Sequence, residues 1–142
     1  MTTTPIVGSC FCGAVRFSIQ PPAGMCCHCH CSMCRRLHGA AYVTWVEMPR
    51  AQVQIRSGED RLRTFDSSSH GKRSFCTGCG SALFCELAER PAHIDVVVAN
   101  LEGEFDLSPQ LHIFYDHRAS WTVVGDELPR LGGESGTSPI ED

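Results

Sequence analysis

Four features that would place a protein in a common class are missing from this 142-residue sequence. No stretch comes near the ~20 consecutive apolar residues of a membrane-spanning helix, and the first residues have neither the basic nor the apolar region of a secretory signal. Glycine-rich nucleotide-binding loops and a Gly-x-Ser-x-Gly nucleophile turn are absent as well. These absences argue against nucleotide chemistry and predict a cytoplasmic protein with no membrane partner.

Lysine is scarce too, because eleven of the twelve basic side chains are arginines. The net charge is −4, with nine basic against four acidic residues in 1–80 and three against twelve in 81–142. A nucleic-acid-binding protein usually has a strong overall basic bias, so the sequence predicts no nucleic-acid partner. The basic first part can still attract a small anion, and arginine offers a forked contact to carboxylates.

Length and composition predict one compact domain with a mainly β fold. Apolar residues make up 42% of the chain and charged residues 20%, an ordinary globular balance. Short alternating or apolar runs, bounded by Pro, Gly or Asp, predict strands at 15–19, 42–48, 53–56, 62–65, 82–87 and 94–99. One short helix is predicted from Ser32 to His38, with Ser32 as its N-cap and Gly39 as its end.

The last residues have a different composition. From residue 132 to residue 142 the chain is rich in Gly, Ser, Thr and acidic residues, which predicts a disordered C-terminal tail. The folded domain is therefore expected to span residues 5–131. On this interpretation, removing 132–142 leaves the stability nearly unchanged.

Cysteine is abundant, with ten residues in the chain. In a reducing compartment this density favours metal binding over disulfides. Two short cysteine pairs, Cys10/Cys12 and Cys76/Cys79, are each followed by a glycine that lets the backbone turn so that amides point at the sulfurs. Because zinc prefers four soft ligands in a tetrahedron, the two pairs together predict a closed structural zinc site.

A third cluster offers three cysteines in one local segment: Cys29, Cys31 and Cys34. Three protein ligands with an open fourth position are typical of a catalytic zinc site. In an extended segment at about 3.3 Å per residue, Cys27 lies too far from Cys31 to share a metal without a sharp bend, whereas a helical turn can bring Cys34 back. His28, His30 or Cys27 as a closing fourth ligand stays open, and so do the roles of Cys26, Cys27 and Cys85.

These residues resemble the motifs of the glutathione-dependent formaldehyde-activating enzyme family, whose domain is shared with centromere protein V. The resemblance covers about residues 5–131. It is carried by Gly8-Ser-Cys10-Phe-Cys12-Gly13, by Cys29-His-Cys31-Ser-Met-Cys34-Arg35-Arg36, by Phe75-Cys76-Thr-Gly-Cys79-Gly80, and by the segment from His112 to Trp121. It implies an Mss4-like fold of several coiled antiparallel β-sheets with one short helix, stabilised by zinc.

The resemblance also implies a function. Cys10, Cys12, Cys76 and Cys79 would hold a structural zinc ion, and Cys29, Cys31 and Cys34 a catalytic one, giving two Zn²⁺ per chain. The implied enzyme is a carbon–sulfur lyase similar to S-hydroxymethylglutathione synthase, acting on an adduct of formaldehyde and a small thiol such as glutathione. Two alternatives remain: a non-catalytic carrier that binds glutathione or another thiol, and a zinc-stabilised protein-interaction module. The true substrate and the oligomeric state stay open.

Overall fold

The structure, a computed structural model, describes residues 4–140 and is mainly β in that range, with one α-helix. The helix, α1, is Ser32–His38. The strands, in chain order, are β1 Ile6–Ser9, β2 Arg16–Ile19, β3 Cys26–Cys29, β4 Val43–Pro49, β5 Val53–Ser57, β6 Leu62–Asp66, β7 Gly71–Cys76, β8 Ala82–Leu87, β9 His93–Val97, β10 Leu111–Ile113, β11 Leu131–Gly132 and β12 Ser138–Pro139. The predicted mainly β fold with several sheets and one short helix is confirmed.

The chain divides into two compact units. The first unit combines the residues up to Gly24 with Val46–Leu107, and the second combines Met25–Trp45 with the residues from Ser108 onward. Strand β4 crosses from the second unit into the first. The two cysteine sites predicted from the sequence fall in different units, so each site is built by its own unit. The single domain boundary at 5–131 stays a prediction.

The first unit contains two sheets. One has the order β1-β2-β5 and is antiparallel, with Gly8 of β1 opposite Phe17 of β2. In the other, β9, β8, β7 and β6 are hydrogen-bonded neighbours in that order. The rings of Phe17 and Phe84 meet edge to face with their centroids 5.1 Å apart, and both side chains are buried. The apolar alternation read in 15–19 therefore supplies the core of this unit.

In the second unit, β10, β3 and the start of β4 are hydrogen-bonded neighbours in that order. Strand β10 runs parallel to β3, with His112 opposite His28 and Ile113 opposite Cys29. This pair is an exception to the antiparallel pairing that was expected throughout. Because successive side chains of a strand point to opposite faces, Cys29 and His28 project from different sides of β3. The strand thus separates a sulfur-bearing face from an imidazole-bearing face.

The helix has the predicted bounds but a different N-cap. Cys31, not Ser32, is the capping residue: its Sγ accepts a hydrogen bond from the backbone N–H of Cys34 at 3.3 Å. Ser32 is already the first helical residue, so its hydroxyl comes one position too late to cap. The helix ends as predicted at Gly39, which adopts the left-handed conformation. One side chain therefore both caps the helix and belongs to the predicted metal site.

Residues 131–140 differ from the expected structureless tail. Strands β11 and β12 form a small antiparallel hairpin, the backbone N–H of Phe114 donates to the carbonyl oxygen of Gly136 at 3.0 Å, and the N–H of Gly133 donates to Asp116 at 3.0 Å. The composition correctly indicates that this segment buries little, but backbone hydrogen bonds can hold a hairpin that has few apolar side chains. Residues 141 and 142 lie outside the described residues.

This hairpin leads to a prediction for the chain truncated after Leu131. Deletion of 132–142 leaves the Phe114 amide without its acceptor, and an unsatisfied, partly buried amide costs about 1–3 kcal/mol. We expect the thermal midpoint to fall by several degrees, measured by circular dichroism. A chain ending at Ile140 is the control. An unchanged midpoint after the longer deletion would restore the interpretation of 132–142 as a tail that does not support the core.

Within residues 4–140 no helix has both the length and the apolar content needed to cross a bilayer.

Candidate functional site

The first cysteine group brings together the two pairs that are far apart in sequence. The four sulfur atoms of this group all lie within 4.8 Å of one another; they belong to Cys10, Cys12, Cys76 and Cys79. The sulfur atoms of Cys10 and Cys12 are 3.6 Å apart, and those of Cys12 and Cys76 are 3.8 Å apart. A tetrahedral zinc ion with Zn–S bonds of about 2.3 Å requires sulfurs about 3.8 Å apart. The donor set and its spacing fit zinc.

Tight turns position these sulfurs. Gly13 and Gly80 have φ values of 81° and 82°, the left-handed conformation that the sequence analysis assigned to them. Backbone amides consequently point at the sulfurs: the N–H of Val15 donates to Cys10 Sγ at 3.3 Å, and the N–H of Gly78 donates to Cys76 Sγ at 3.3 Å. Such bonds stabilise negative charge on sulfur and orient it toward a metal.

Ser81 is a supporting residue that the sequence analysis did not identify. Its hydroxyl oxygen lies 3.2 Å from Cys79 Sγ and also accepts a hydrogen bond from the backbone N–H of Phe11 at 2.8 Å. The side chain and backbone of Ser81 lower the pKa of Cys79 to about 5. Ser81 therefore connects the turn that contains Cys10 and Cys12 with the turn that contains Cys79. It also favours the thiolate form of Cys79, which is the form that binds a metal. Its position directly after the Cys-Thr-Gly-Cys-Gly turn is the signal that could have indicated it.

The second cysteine group is made by one continuous segment of the second unit. The sulfurs of Cys29, Cys31 and Cys34 lie within 4.8 Å of one another, and those of Cys29 and Cys34 are 3.4 Å apart. Cys29 ends β3, Cys31 caps α1, and Cys34 is in the first turn of that helix. The turn from strand into helix thus brings Cys34 back toward Cys29, as the spacing predicts. These donors also fit zinc, with three thiolate ligands.

Exposure and charge differ among the three sulfurs. Cys29 and Cys34 are buried, whereas Cys31 is half-buried and is the cysteine of this group with the greatest exposure to solvent. Trp45 Nε1 donates a hydrogen bond to Cys34 Sγ at 3.4 Å. The neighbouring Cys31 and Cys34 thiols, together with burial, raise the pKa of Cys29. Three adjacent thiolates repel one another, so this group needs a cation to be fully deprotonated.

The three residues considered as a fourth ligand are not part of this group. Among the described residues the group that shares the 4.8 Å spacing consists of the three cysteines, without His28, His30 or Cys27. His30 Nε2 is instead 2.8 Å from His112 Nδ1, and His28 Nδ1 is 2.8 Å from the Thr44 hydroxyl. The arrangement is an open set of three sulfur ligands. Cys26 and Cys27 are buried on β3, and Cys85 is buried on β8 in the first unit.

Two arginines influence His30, which lies between Cys29 and Cys31 in the sequence. Arg35 Nε donates to the backbone oxygen of His30 at 3.3 Å, and Arg118 donates to the backbone oxygen of Tyr115 at 3.0 Å while its guanidinium lies 4.2 Å from the centre of the Tyr115 ring. Burial lowers the pKa of His30 to about 4, and repulsion from charged neighbours, including both guanidinium groups, adds to the shift. The His30 imidazole is therefore neutral at neutral pH, and the positive charge near it comes from the two guanidinium groups.

A third group of possible ligands lies on the imidazole-bearing face of β3. Ring nitrogens of His28 and His112 and a carboxylate oxygen of Asp126 lie within 4.8 Å of one another. Neither His112 nor Asp126 is predicted as a metal ligand from the sequence. No short motif could have indicated them, because the two histidines are 84 positions apart and their proximity depends on the parallel pairing of β10 with β3.

Comparisons with known proteins agree with these features. A solved crystal structure of a Rhodobacter sphaeroides protein is similar with a TM-score of 0.60 and 28% identity, covering 70% of this chain and 91% of that chain. A Halomonas elongata protein, named provisionally as a glutathione-dependent formaldehyde-activating enzyme, is 25% identical over 124 residues, which are 82% of this chain and 79% of the relative.

A Fusarium vanettenii protein with the same provisional name is 34% identical over 78 residues, 54% of this chain and 42% of that relative. The family model described as "Glutathione-dependent formaldehyde-activating enzyme" matches residues 5–117. This match includes both cysteine groups and all of α1. The chain belongs to the glutathione-dependent formaldehyde-activating enzyme family.

Proposed function

We propose that the protein is a carbon–sulfur lyase that reversibly joins a small thiol, such as glutathione, to formaldehyde. In the forward direction a carbon–sulfur bond forms between the thiol sulfur and the formaldehyde carbon. The carbonyl π electrons move to oxygen, and the proton lost from the thiol ends on that oxygen to give the S-hydroxymethyl adduct. Neither partner is oxidised or reduced overall by an external reagent, so the reaction needs no redox cofactor.

The observation that carries this proposal is the open group of three cysteines. Cys29, Cys31 and Cys34 offer three sulfur ligands, and the half-buried Cys31 leaves one side of the group accessible. A site with three protein ligands can accept an external ligand in a fourth position, whereas a closed four-ligand site cannot. A bound zinc ion would supply the positive charge that keeps the ligand and substrate sulfurs deprotonated at neutral pH.

Hydrogen bonds from neighbouring N–H groups orient two sulfurs of this group. The Trp45 indole N–H and the Cys34 backbone N–H donate to the sulfurs of Cys34 and Cys31, respectively. Both bonds stabilise the thiolate form and hold each sulfur in a fixed direction. Burial of Cys29 and Cys34 excludes water from two sides of the group. We infer that only the side next to Cys31 exchanges ligands.

Recognition of glutathione would depend on its two carboxylates. Arg35 and Arg118 are held by backbone oxygens of the second unit and act electrostatically on the same residue, His30. Each guanidinium retains N–H groups that can bind a carboxylate through two parallel bonds. We therefore infer that these arginines orient the substrate. Arg36 is exposed on the helix and follows Arg35 directly, so it points elsewhere.

The first group, Cys10, Cys12, Cys76 and Cys79, would hold a second zinc ion with a structural role. Its four sulfurs would complete a tetrahedron around the ion without any external ligand, and the bound ion would close a long loop of chain. The protein would then contain two zinc ions in cysteine sites. Its cytoplasmic location stays a prediction.

Two other functions are compatible with family membership. A carrier would bind glutathione at the three-cysteine group without accelerating adduct formation, and an interaction module would bind neither reactant. The open site favours the enzyme and the carrier over the interaction module, because a purely structural zinc has no need of an accessible ligand position.

Exchange NMR on the zinc-loaded protein separates these functions. Glutathione and ¹³C-labelled formaldehyde are mixed, and the exchange rate between free and thiol-bound formaldehyde is measured as protein is added. We expect the rate to rise in proportion to protein, and the Cys85→Ala variant, which alters a cysteine outside both groups, to retain that rise. Binding of glutathione with no change in rate would indicate the carrier. The absence of both binding and acceleration would contradict the enzyme and the carrier alike.

A further inference from the structure

The imidazole-bearing face of β3 carries a ligand set that the lyase reaction does not use. His28 of β3 and His112 of β10 lie opposite each other in the parallel pairing, with ring centroids 4.9 Å apart. Both side chains therefore project from the same face of this two-stranded segment. Cys29 projects from the other face, so the imidazoles are separate from the three-cysteine group.

Asp126 completes this set with a carboxylate. Its two oxygens lie 3.0 and 3.1 Å from Nε2 of His112. The backbone N–H of Leu128 donates to one of these oxygens at 3.0 Å, which fixes the carboxylate in a local turn. Two imidazole nitrogens and one carboxylate oxygen thus converge within 4.8 Å of one another. All of these residues belong to the second unit.

The Nδ1 atom of each histidine lies within hydrogen-bond distance of a second side chain. His28 Nδ1 is 2.8 Å from the Thr44 hydroxyl, and His112 Nδ1 is 2.8 Å from His30 Nε2. Metal-binding histidines typically have such a partner on the nitrogen that does not bind the metal, because it fixes both the tautomer and the ring orientation. With Nδ1 engaged on both rings, Nε2 is the nitrogen of each ring that an ion would bind, and at His112 the ion would replace the proton shared with Asp126.

The site is also accessible. His112 is fully buried, but His28 is half-buried and the Asp126 side chain is 41% exposed. An ion can therefore enter from the side of Asp126, and solvent can occupy further coordination positions. An exposed carboxylate alone would be an ordinary surface feature. Its placement 3.0 Å from the buried His112, with the half-buried His28 beside it, is what distinguishes this group.

We propose that His28, His112 and Asp126 form a further metal site, which binds a divalent first-row transition ion such as zinc through two nitrogens and one oxygen. Imidazole suits zinc, copper, iron and nickel, and two histidines with one carboxylate leave positions open for water or a small ligand. The donors differ in kind from the sulfurs of the seven cysteines in the other two groups. An ion bound here is therefore distinguishable by its spectrum.

Cobalt(II) is the probe for this test. The intact protein, with its cysteine sites loaded with zinc, is titrated with cobalt(II) and then analysed for metal content and absorbance. We expect one cobalt per chain, with weak visible bands and without the intense near-ultraviolet absorption of cobalt bound to thiolate. Cobalt that enters a cysteine group would show that thiolate absorption.

The decisive variant is Asp126→Asn, because Asp126 is exposed and asparagine keeps an oxygen that can accept the His112 N–H. It removes only the negative charge of the ligand. Since loss of an outer partner already weakens metal binding by about 10–100-fold, we expect loss of the charge on this direct ligand to raise the cobalt Kd about 100-fold or more. Thr44→Val, which removes the hydroxyl behind His28, should raise it about 10–100-fold. Asp106→Asn, at another exposed aspartate, is the control and should not change it.

Three results would overturn the proposal: no cobalt uptake by the zinc-loaded protein, uptake accompanied by thiolate absorption alone, or equal affinity in the wild type and Asp126→Asn. None of them bears on adduct formation at the three-cysteine group. The proposed lyase activity, measured separately by exchange NMR, can therefore stand or fail independently.

Discussion

Cys31→Ser is expected to remove the metal from the second cysteine group and to lower the rate of adduct formation about 100-fold or more, while the protein stays folded. Serine offers a hard, weakly acidic oxygen in place of a thiolate, and the loss of one ligand from three leaves too few to hold zinc. Serine is nevertheless a good N-cap, so it can accept the bond from the Cys34 N–H that Cys31 accepts in the structure. The substitution therefore removes the sulfur ligand and retains the helix.

Elemental analysis, circular dichroism and exchange NMR on the same preparation check this result. Ser32→Ala is the matched control, because Ser32 is exposed on the same turn and belongs to neither cysteine group. It should retain both cysteine-bound zinc ions and the wild-type rate. Wild-type adduct formation by Cys31→Ser would contradict the proposed role of this group, even if the metal were lost.

Cys79→Ser is expected to unfold the first unit. The four cysteines of that group connect the turn after β1 with the turn after β7, and metal binding contributes directly to folding where no site exists in the unfolded chain. Structural zinc sites have apparent binding free energies of about 10–16 kcal/mol, comparable to the whole stability of a typical domain of about 5–15 kcal/mol. Loss of several kcal/mol at this site therefore exceeds what a marginally stable fold tolerates.

Far-ultraviolet circular dichroism and zinc content, measured together, test this expectation. Thr77→Ser is the control: Thr77 lies on the same turn, and its hydroxyl donates to the backbone oxygen of Arg61, which serine can also do. It should melt as the wild type does. A Cys79→Ser protein with a wild-type melting temperature and one zinc ion fewer would show that the first group does not stabilise the fold.

The two variants differ in outcome for a topological reason. Cys29, Cys31 and Cys34 lie within six consecutive residues, so their metal closes no long loop and orders little chain. Cys12 and Cys76 are 64 positions apart and join two turns that are distant in sequence. The same chemical substitution is therefore expected to affect function at one site and folding at the other.

Local sequence patterns were sufficient for several elements. The alternation around Phe17 and the apolar run in 94–99 predicted β2 and β9, and the helix from Ser32 to His38 has the predicted bounds. Strands β3 and β7 were missed, because cysteine, histidine, arginine and serine occupy them and no apolar alternation is visible. Arg73 and Ser74 are buried in β7, which only the surrounding sheet makes possible.

The sequence by itself predicted both cysteine groups, because each pair or triplet is confined to a turn of a few residues and soft sulfur donors favour zinc. Only the tertiary structure decided which histidines meet. His112 reaches His28 and His30 through the pairing of β10 with β3, and Asp126 reaches His112 through a separate loop. Such contacts join positions that share no periodicity or motif, so their proximity follows from strand register and not from any pattern along the chain.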